Sequence, residues 1–442
     1  MGPRGNQEEQ RVVVLTVPPP PWDTGEVPGL AMKGCDVKLT HIAITNWRNF
    51  AHIEFDLSSR LFIVGPNSSG KTNLLAALRF LSDIAWFGLA AASENWGGPE
   101  RYFRSGAEKV SFKLTFEFDE HQIQYMVSLR KESCASDRHK RDTVASDALV
   151  YPIGNRALVD SEDFMIDGQP VPITAEITTE TDSLLLGECV KSFLDPGSVV
   201  QPAFGHEVRD TLFYIEHQLV RIAMESIRYI HPNPKKMLER SDRYDPDHGT
   251  GFFQHAGRFS DQQLDAVVDR IRPIMASVVP EIPNLSYQRM GLGTEVVFYS
   301  DTPVRGASGV YSHEQFSEGT LRLLGILFDL ATLPRDTSVV LIEEPETFLQ
   351  ASVVRSLPSL LAEVAMNRDV QMVISTHSPE LIDSELVLPS QVLMLRSENG
   401  ETTGELLSES NDPRIKAVVS AGLPKSQGID AVNGRTIPLG TW

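Results

Sequence analysis

From residue 37 onward the chain alternates. Val37–Ile44 and His52–Leu57 carry apolar side chains with the two-residue period of strands that bury one face, and Leu61–Val64 is a short, wholly apolar run. A glycine-bearing loop follows at 65–70. The period then changes: Leu74, Leu75, Leu78, Phe80 and Leu81 fall at helical spacing and predict a helix over Lys71–Phe87. Residues 88–108 read as an irregular insertion. Val110, Phe112, Leu114, Phe116 and Phe118 alternate again and, with Gln122–Arg130, predict a hairpin across Asp119–His121. A polar, charged segment (131–147) and a strand-and-turn segment (148–205) come next. Val208–Ile230 reads as a helix ended by His231-Pro232-Asn233-Pro234, and Asp261–Val279 as a second. Leu285–Met290 and Glu295–Ser300 form a second hairpin pattern. The last third is regular: helix Glu318–Thr332, buried strand Ser338–Ile342, helix Ala351–Ala365, strand Val370–Ser375 and short strand Val392–Leu395, then weak helical character around 411–421. There is no internal repeat.

Strands separated by helices predict an α/β core with parallel strands. The order of elements implies one domain split in sequence: a first lobe at 37–130, an inserted mixed helical middle region at 131–304, and a second lobe at 305–400. A tail rich in Gly and Pro (1–36, with Pro18–Pro21 favouring an extended conformation) precedes it, and a C-terminal extension (401–442) follows.

Composition narrows the class. The chain has 442 residues, 41% apolar and 22% charged, an ordinary globular balance. No apolar run approaches the roughly 20 residues that span a bilayer, and Val12–Pro21 makes a poor secretory signal, so no membrane partner is expected. Cys35, Cys134 and Cys189 are scattered without metal-type spacing and read as free thiols of a reducing cytoplasm. The net charge of −19 repels bulk nucleic acid. Arg138-His139-Lys140-Arg141 and Lys235-Lys236 are local exceptions and read as solvated loop charges.

Four motifs carry candidate chemistry. Gly65-Pro66-Asn67-Ser68-Ser69-Gly70-Lys71-Thr72 fits G-x-x-x-x-G-K-[ST] completely and sits between a strand and a helix. Loop amides would converge on phosphates, Lys71 would supply a point charge, and the Thr72 hydroxyl would face Mg²⁺. Val339–Glu346 delivers the adjacent carboxylates Glu343 and Glu344 from a buried strand, one to hold Mg²⁺ and the next to activate water. An acidic helix start would look the same in isolation; the complete phosphate loop favours chemistry. Phe316-Ser317-Glu318-Gly319-Thr320 opens an apolar helix, where a serine and a glycine make either a plain cap or an anion site. Val373–Pro379 ends a buried strand in a polar cluster that presents His377, a group able to hydrogen-bond a γ-phosphate.

In this order the four motifs resemble those of the ATP-binding-cassette ATPases of the RecF, SMC and OLD (overcoming lysogenization defect) branch. GPNSSGKT resembles their Walker A motif, IEEPE the Walker B motif of the OLD-like subgroup, FSEGT its signature motif and STHSP its switch histidine. Thr45-Asn46-Trp47-Arg48-Asn49-Phe50 resembles the N-terminal element of the same branch. The match covers 37–87 and about 310–396. It implies an ABC-type P-loop nucleotide-binding domain that binds ATP with Mg²⁺ between two heads. Lys71, Thr72 and the rest of 65–72 would hold phosphate and metal, Glu343 the metal side, Glu344 the catalytic base and His377 the switch. Ser317 and Gly319 would act on the other subunit's nucleotide. A homodimer or larger homo-oligomer is therefore expected.

Departures from the pattern are informative. Glu343 stands where most cassette proteins have Asp, although the OLD-like subgroup commonly has Glu. Leu349-Gln350-Ala351 replaces the frequent Leu-His-Pro. Gln122 and Gln124 are the positional candidates for a glutamine loop. There is no long heptad run, and no Toprim-type acidic cluster follows His377. The expectation is thus an ATPase that controls a separate effector, a nuclease or toxin, in bacterial anti-phage defence. The alternative is a RecF-like DNA-repair ATPase acting on DNA through Arg130, Lys131, Lys140 and Arg141. A scaffold that binds ATP without turnover and a transporter subunit are weaker readings, opposed by Glu344 and by the FSEGT and IEEPE forms respectively.

Overall fold

A computed structural model describes residues 37–118, 121–131, 157–170, 220–221, 223–245, 248–291, 295–300, 310–398 and 400–433. The 1–36 tail, the Arg138–Arg141 cluster, the three cysteines and the 171–219 stretch lie outside the described residues.

Two six-stranded sheets and a smaller one carry the fold. The first is antiparallel, in the order β2-β1-β4-β5-β6-β7, built from β1 (Val37–Trp47), β2 (Phe50–Asp56), β4 (Lys109–Phe118), β5 (His121–Lys131), β6 (Ala157–Ile166) and β7 (Gln169–Pro170). The second has the order β15-β14-β3-β13-β12-β8, from β3 (Arg60–Val64), β8 (Ile227–Ile230), β12 (Val339–Glu343), β13 (Gln371–Ser375), β14 (Val392–Glu398) and β15 (Glu401–Leu406). Its strands run parallel except β15, which pairs antiparallel with β14 at the edge. The third joins β9 (Leu285–Met290), β10 (Glu295–Ser300) and β11 (Tyr311–Ser312).

The parallel sheet is covered on both faces, which is why every residue of β12 and β13 is buried. The two-residue strand period sorts their side chains. Leu61, Ile63, Leu341 and Val373 face the helix Lys71–Phe87, in one core with the inner face of the antiparallel sheet, including Ile42, Trp47 and Phe112. Phe62, Val64, Val340, Ile342, Met372 and Ile374 face the other way, onto Ile326 and Leu330 of helix Glu318–Ala331 and Leu361 of helix Leu357–Arg368. Helix Glu318–Ala331 also buries its opposite side, through Leu321, Leu324, Leu327 and Phe328, against helix Asp261–Val278 and the three-stranded sheet. A full capping box at Ser260 and Gln263 starts Asp261–Val278. Among the described residues no helix is long and apolar enough to cross a membrane.

Five segments differ from the expected reading. Residues 88–108, expected to be irregular, hold the short helices Leu89–Asn95 and Pro99–Tyr102, and the single helix expected over Ala351–Ala365 is two, Ala351–Val354 and Leu357–Arg368, the second opening with Pro358 in its first turn. The helix expected over Val208–Ile230 has turned into strand by Ile227: β8 pairs parallel with β12 and completes its open edge. Isoleucine and tyrosine suit that position, and a tertiary partner overrides local helical spacing. β6, which falls within the 131–304 stretch, extends the first sheet beside β5. β15 carries the parallel sheet past residue 400; its burial is sparse (Thr402 and Leu406 are the buried residues), so its alternation is faint in the sequence. Both predicted hairpins form, Phe118 pairing with His121 and Met290 with Glu295.

Candidate nucleotide site

The C-terminal ends of β3, β12, β13 and β8 lie side by side, so Val64, Glu343, Ser375 and Ile230 open onto one edge of the sheet, where open α/β sheets bind ligands. The loop after β3 wraps this edge. Gly70 adopts a left-handed φ of 99° at the cap of helix Lys71–Phe87. A Cβ there would lie 2.3 Å from Asn49 Nδ2, and one on Gly65 would lie 2.6 Å from the Leu395 carbonyl oxygen. Both positions therefore need glycine. Pro66, Asn67 and Ser68 form an exposed rim, while Ser69 is buried with no partner for its hydroxyl. Lys71 is 5% exposed, and its Nζ donates to the carbonyls of Gly65 (3.0 Å) and Pro66 (3.1 Å). Burial lowers its pKa, opposed by the charges of Glu344, Glu346 and Glu343. An unpartnered buried hydroxyl, a buried lysine cation and a 17-residue helix N-terminus converge here. That donor set fits a phosphate chain.

Glu343 and Glu344 are neighbours in sequence but not in direction, because Glu344 takes a left-handed φ of 42°. Glu343, 8% exposed, accepts hydrogen bonds from the Thr72 hydroxyl on Oε1 and from the Tyr229 phenol on Oε2. A hydroxyl and a carboxylate side by side are hard oxygen donors and fit Mg²⁺. Glu344 turns to the other side: His377 Nε2 lies 3.1 Å from Oε1, and the Thr347 hydroxyl donates to Oε2 at 3.3 Å. The histidine hydrogen bond holds the Glu344 carboxyl below its usual range against the opposing effect of burial, with its charge, Thr347 and Lys71 adding to the same direction. Glu346 ties the two loops together, its Oε1 accepting from the Thr376 hydroxyl (2.7 Å) and the His377 amide (2.6 Å).

The structure thus gathers Gly65–Thr72, Glu343, Glu344 and His377. It does not bring Ser317 or Gly319 to them: among the described residues no hydrogen bond joins either to 65–72. Ser317 caps its own helix, accepting from the Thr320 amide at 3.1 Å. Gly319 packs beneath its own chain, where a Cβ would meet the Phe348 carbonyl oxygen at 2.3 Å. Gln122 and Gln124 line an open depression of about 540 Å³ with His41, Glu54 and Asp56, on residues of the antiparallel sheet rather than at the loop.

Sequence reasoning passed over three supports. Asn49 donates to the Ser69 carbonyl (3.3 Å) and the Thr402 hydroxyl (2.7 Å) and accepts from Asn73 (2.6 Å), bracing the loop from the β1–β2 turn. Arg322, 1% exposed, donates to the carbonyls of Pro232 (2.7 Å), Glu343 (2.8 Å) and Glu344 (3.0 Å). Its signal was a charge in the midst of Leu321, Leu323 and Leu324. Tyr229 had no local signal, because its role depends on the pairing of β8 with β12.

Fold and site together define an ABC-type ATPase of the RecF, SMC and OLD branch. The chain belongs to the family described as "AAA domain, putative AbiEii toxin, Type IV TA system", which matches residues 61–133 and 181–383, more than half of its length. It is 42% identical over 78 residues to the DNA replication and repair protein RecF of Leptospira interrogans, covering 17% of this chain and 21% of that protein. It is 28% identical over 105 residues to RecF of Lacticaseibacillus casei (23% and 26%). Endonuclease GajA of Bacillus cereus is 47% identical over 47 residues (11% and 8%). The chain spans about a fifth to a quarter of the length of these RecF relatives. Among solved structures, an SMC head bound to the C-winged helix domain of ScpA aligns over 83% of this chain and 97% of that one, at 12% identity and a TM-score of 0.49. The SMC head domain from Thermotoga maritima aligns over 84% and 98%, at 14% identity and a TM-score of 0.42.

Proposed function

We propose that this protein binds and hydrolyses ATP with Mg²⁺ in the cytoplasm at a composite site closed by a second copy, and that nucleotide state controls a separate effector, a nuclease or toxin, in anti-phage defence. The observation that carries the reading is the division of the site. Lys71, Thr72, Glu343, Glu344 and His377 converge on one sheet edge, while Ser317 and Gly319 make no hydrogen bond to that edge. A second subunit would bring its own Ser317 helix, an N-terminal anion site, to the exposed rim at Pro66–Ser68.

The roles follow from the contacts. Loop amides and Lys71 hold the phosphates. Thr72 and Glu343 would hold Mg²⁺, which supplies charge neutralisation on the β- and γ-phosphate oxygens. Glu344, kept ionised by His377, accepts a proton from the attacking water. His377 then carries the news of a γ-phosphate's presence to Glu346 through its own amide. The effector arm rests on the family description, which names a toxin, and on the resemblance to an endonuclease.

Sedimentation of Glu344→Gln with ATP tests the composite site. The variant is expected to form a stable dimer with ATP and to hydrolyse on the order of a hundredfold more slowly than wild type. Equal turnover in both proteins, with no ATP-dependent dimer, sinks the reading. Direct action on DNA remains the second reading, motivated by the RecF matches. Two of its four basic residues are already engaged, Arg130 with Asp160 and Lys131 with Glu100. Duplex binding that needs ATP and falls steeply with salt would favour it.

A further inference from the structure

The structure assigns Tyr229 as the positioning residue of the metal-side carboxylate, an inference that rests on the ATPase reading above. β8 and β12 are parallel, with Tyr229 opposite Leu341 and Ile230 opposite Ile342. By the two-residue period of a strand, Leu341 and Glu343 share the face that Tyr229 also joins. That face is covered by helix Lys71–Phe87, whose second residue is Thr72. Glu343 is therefore gripped from two sides: Thr72 donates to Oε1 and the Tyr229 phenol donates to Oε2. The tyrosine ring is fixed in turn, with the Arg79 guanidinium 5.2 Å from its centroid and the His231 ring 6.0 Å away.

The physical need follows from the side chain. A glutamate has one more rotatable bond than an aspartate, so its carboxylate is less defined by the backbone. A phenol on one oxygen removes that freedom. Being a neutral donor, it fixes Oε2 without adding charge, and it leaves Oε1 as the oxygen directed at the Thr72 hydroxyl, where a divalent cation would be held. Tyr229 itself does not touch the metal or the phosphates; it acts through Glu343. Outer partners of this kind govern metal affinity as well as turnover.

Full-length wild type, Tyr229→Phe, Glu343→Asp and the double variant are compared by Mn²⁺ electron paramagnetic resonance with a saturating non-hydrolysable ATP analogue. Analogue binding in EDTA and thermal unfolding are measured on the same proteins. Tyr229→Phe is expected to weaken Mn²⁺ binding on the order of tenfold or more, with analogue binding in EDTA unchanged and the unfolding transition lowered only by the one buried hydrogen bond lost, so that the protein stays folded at the assay temperature. In the Glu343→Asp background the shorter carboxylate no longer spans Thr72 and Tyr229, so removing the phenol costs nothing further. The inference is overturned if Tyr229→Phe binds Mn²⁺ like wild type, if it loses metal-free nucleotide binding in parallel, or if it is equally damaging in both backgrounds. Failure of the wild type itself to bind the Mn²⁺–nucleotide pair would instead overturn the ATPase reading, and this inference with it.

Discussion

Replacing Arg322 by methionine removes three hydrogen bonds at once. The guanidinium is 1% exposed and joins the carbonyls of Pro232, Glu343 and Glu344. Bonds from a charged donor contribute about 1.5–3 kcal/mol each, so the gross loss is about 5–9 kcal/mol by the same measure. Relief of the desolvation that also lowers the Arg322 pKa offsets several kcal/mol of this. The Glu344 carbonyl keeps the Thr347 amide (3.0 Å), but the carbonyls of Pro232 and Glu343 lose the arginine, and methionine cannot supply a donor. The net destabilisation is expected at about 3–5 kcal/mol, the usual result of breaking a buried charged contact from one side. That is a large share of the roughly 5–15 kcal/mol that holds a domain together. Lysine keeps the charge but presents one compact ammonium instead of a planar fork, so Arg322→Lys should recover only part of the loss. Urea unfolding of the three proteins measures this directly. Where the methionine variant is still folded, its turnover should fall on the order of a hundredfold, because the clamped carbonyls belong to Glu343 and Glu344 and small misplacements of reacting groups are costly. A methionine variant within about 0.5 kcal/mol of wild type, or a lysine variant indistinguishable from it, would refute the clamp.

Two further outcomes follow. In Gly319→Ala, helix propensity favours alanine by about 1 kcal/mol, but the new Cβ would lie 2.3 Å from a backbone oxygen of Phe348, itself in a left-handed φ of 68°. Overpacking of that kind costs about 1–3 kcal/mol, so the melting temperature should fall, and a rise would show that the turn yields freely. Three groups with large shifts, the buried His313 and the half-buried His255 and Asp329, contribute to the pH dependence. Burial depresses His255 and His313 from 6.5 to about 4, so the unfolded chain binds more protons there and stability, complete above 6.5, is lost as pH falls toward 4. Burial lifts Asp329 from 3.8 to about 7, which works in the opposite direction over the same window. Removing this opposing carboxyl in Asp329→Asn should therefore make stability fall more steeply on acidification than in wild type; a shallower slope in that variant, followed by thermal unfolding from pH 6.5 to 4.5, counts against the assignment.

How much of this was legible depended on distance along the chain. The phosphate loop was plain because strand, glycines, lysine and helix are contiguous, and local rules govern each. The buried strands β12 and β13 were plain because burial on both faces leaves an unbroken apolar run. β8 was not: Ile227–Ile230 follows a helical stretch, and only the vacant edge of β12, more than a hundred residues later, makes it a strand. Tyr229 and Arg322 were hidden for the same reason. Their partners lie 114 and 21 to 90 residues away, and no local pattern announces a phenol or a guanidinium aimed at another strand. The charge of Arg322 within an apolar helix was the one available clue, since a buried cation must find acceptors.

The same long-range contacts explain how two distant motifs can act as one. Ser317 and Arg322 stand on a single helix, rooted on the central sheet by Ile326 and Leu330 and on the smaller sheet by Leu321, Leu324 and Phe328. A helix packed on both sides moves as a body. Within the proposed dimer, Ser317 meets the partner's nucleotide at the helix tip, and Arg322, less than two turns along, holds the carbonyls of Glu343 and Glu344 in its own subunit. Glu344 is held besides by its amide on the Ser375 carbonyl (3.0 Å) and by His377 (3.1 Å), across a backbone turn that non-glycine residues rarely adopt. A shift of the helix would therefore be felt first at the residue whose geometry is least tolerant of it. On this reading each subunit's catalytic glutamate is set by its own loop and tuned by what its helix touches on the other nucleotide.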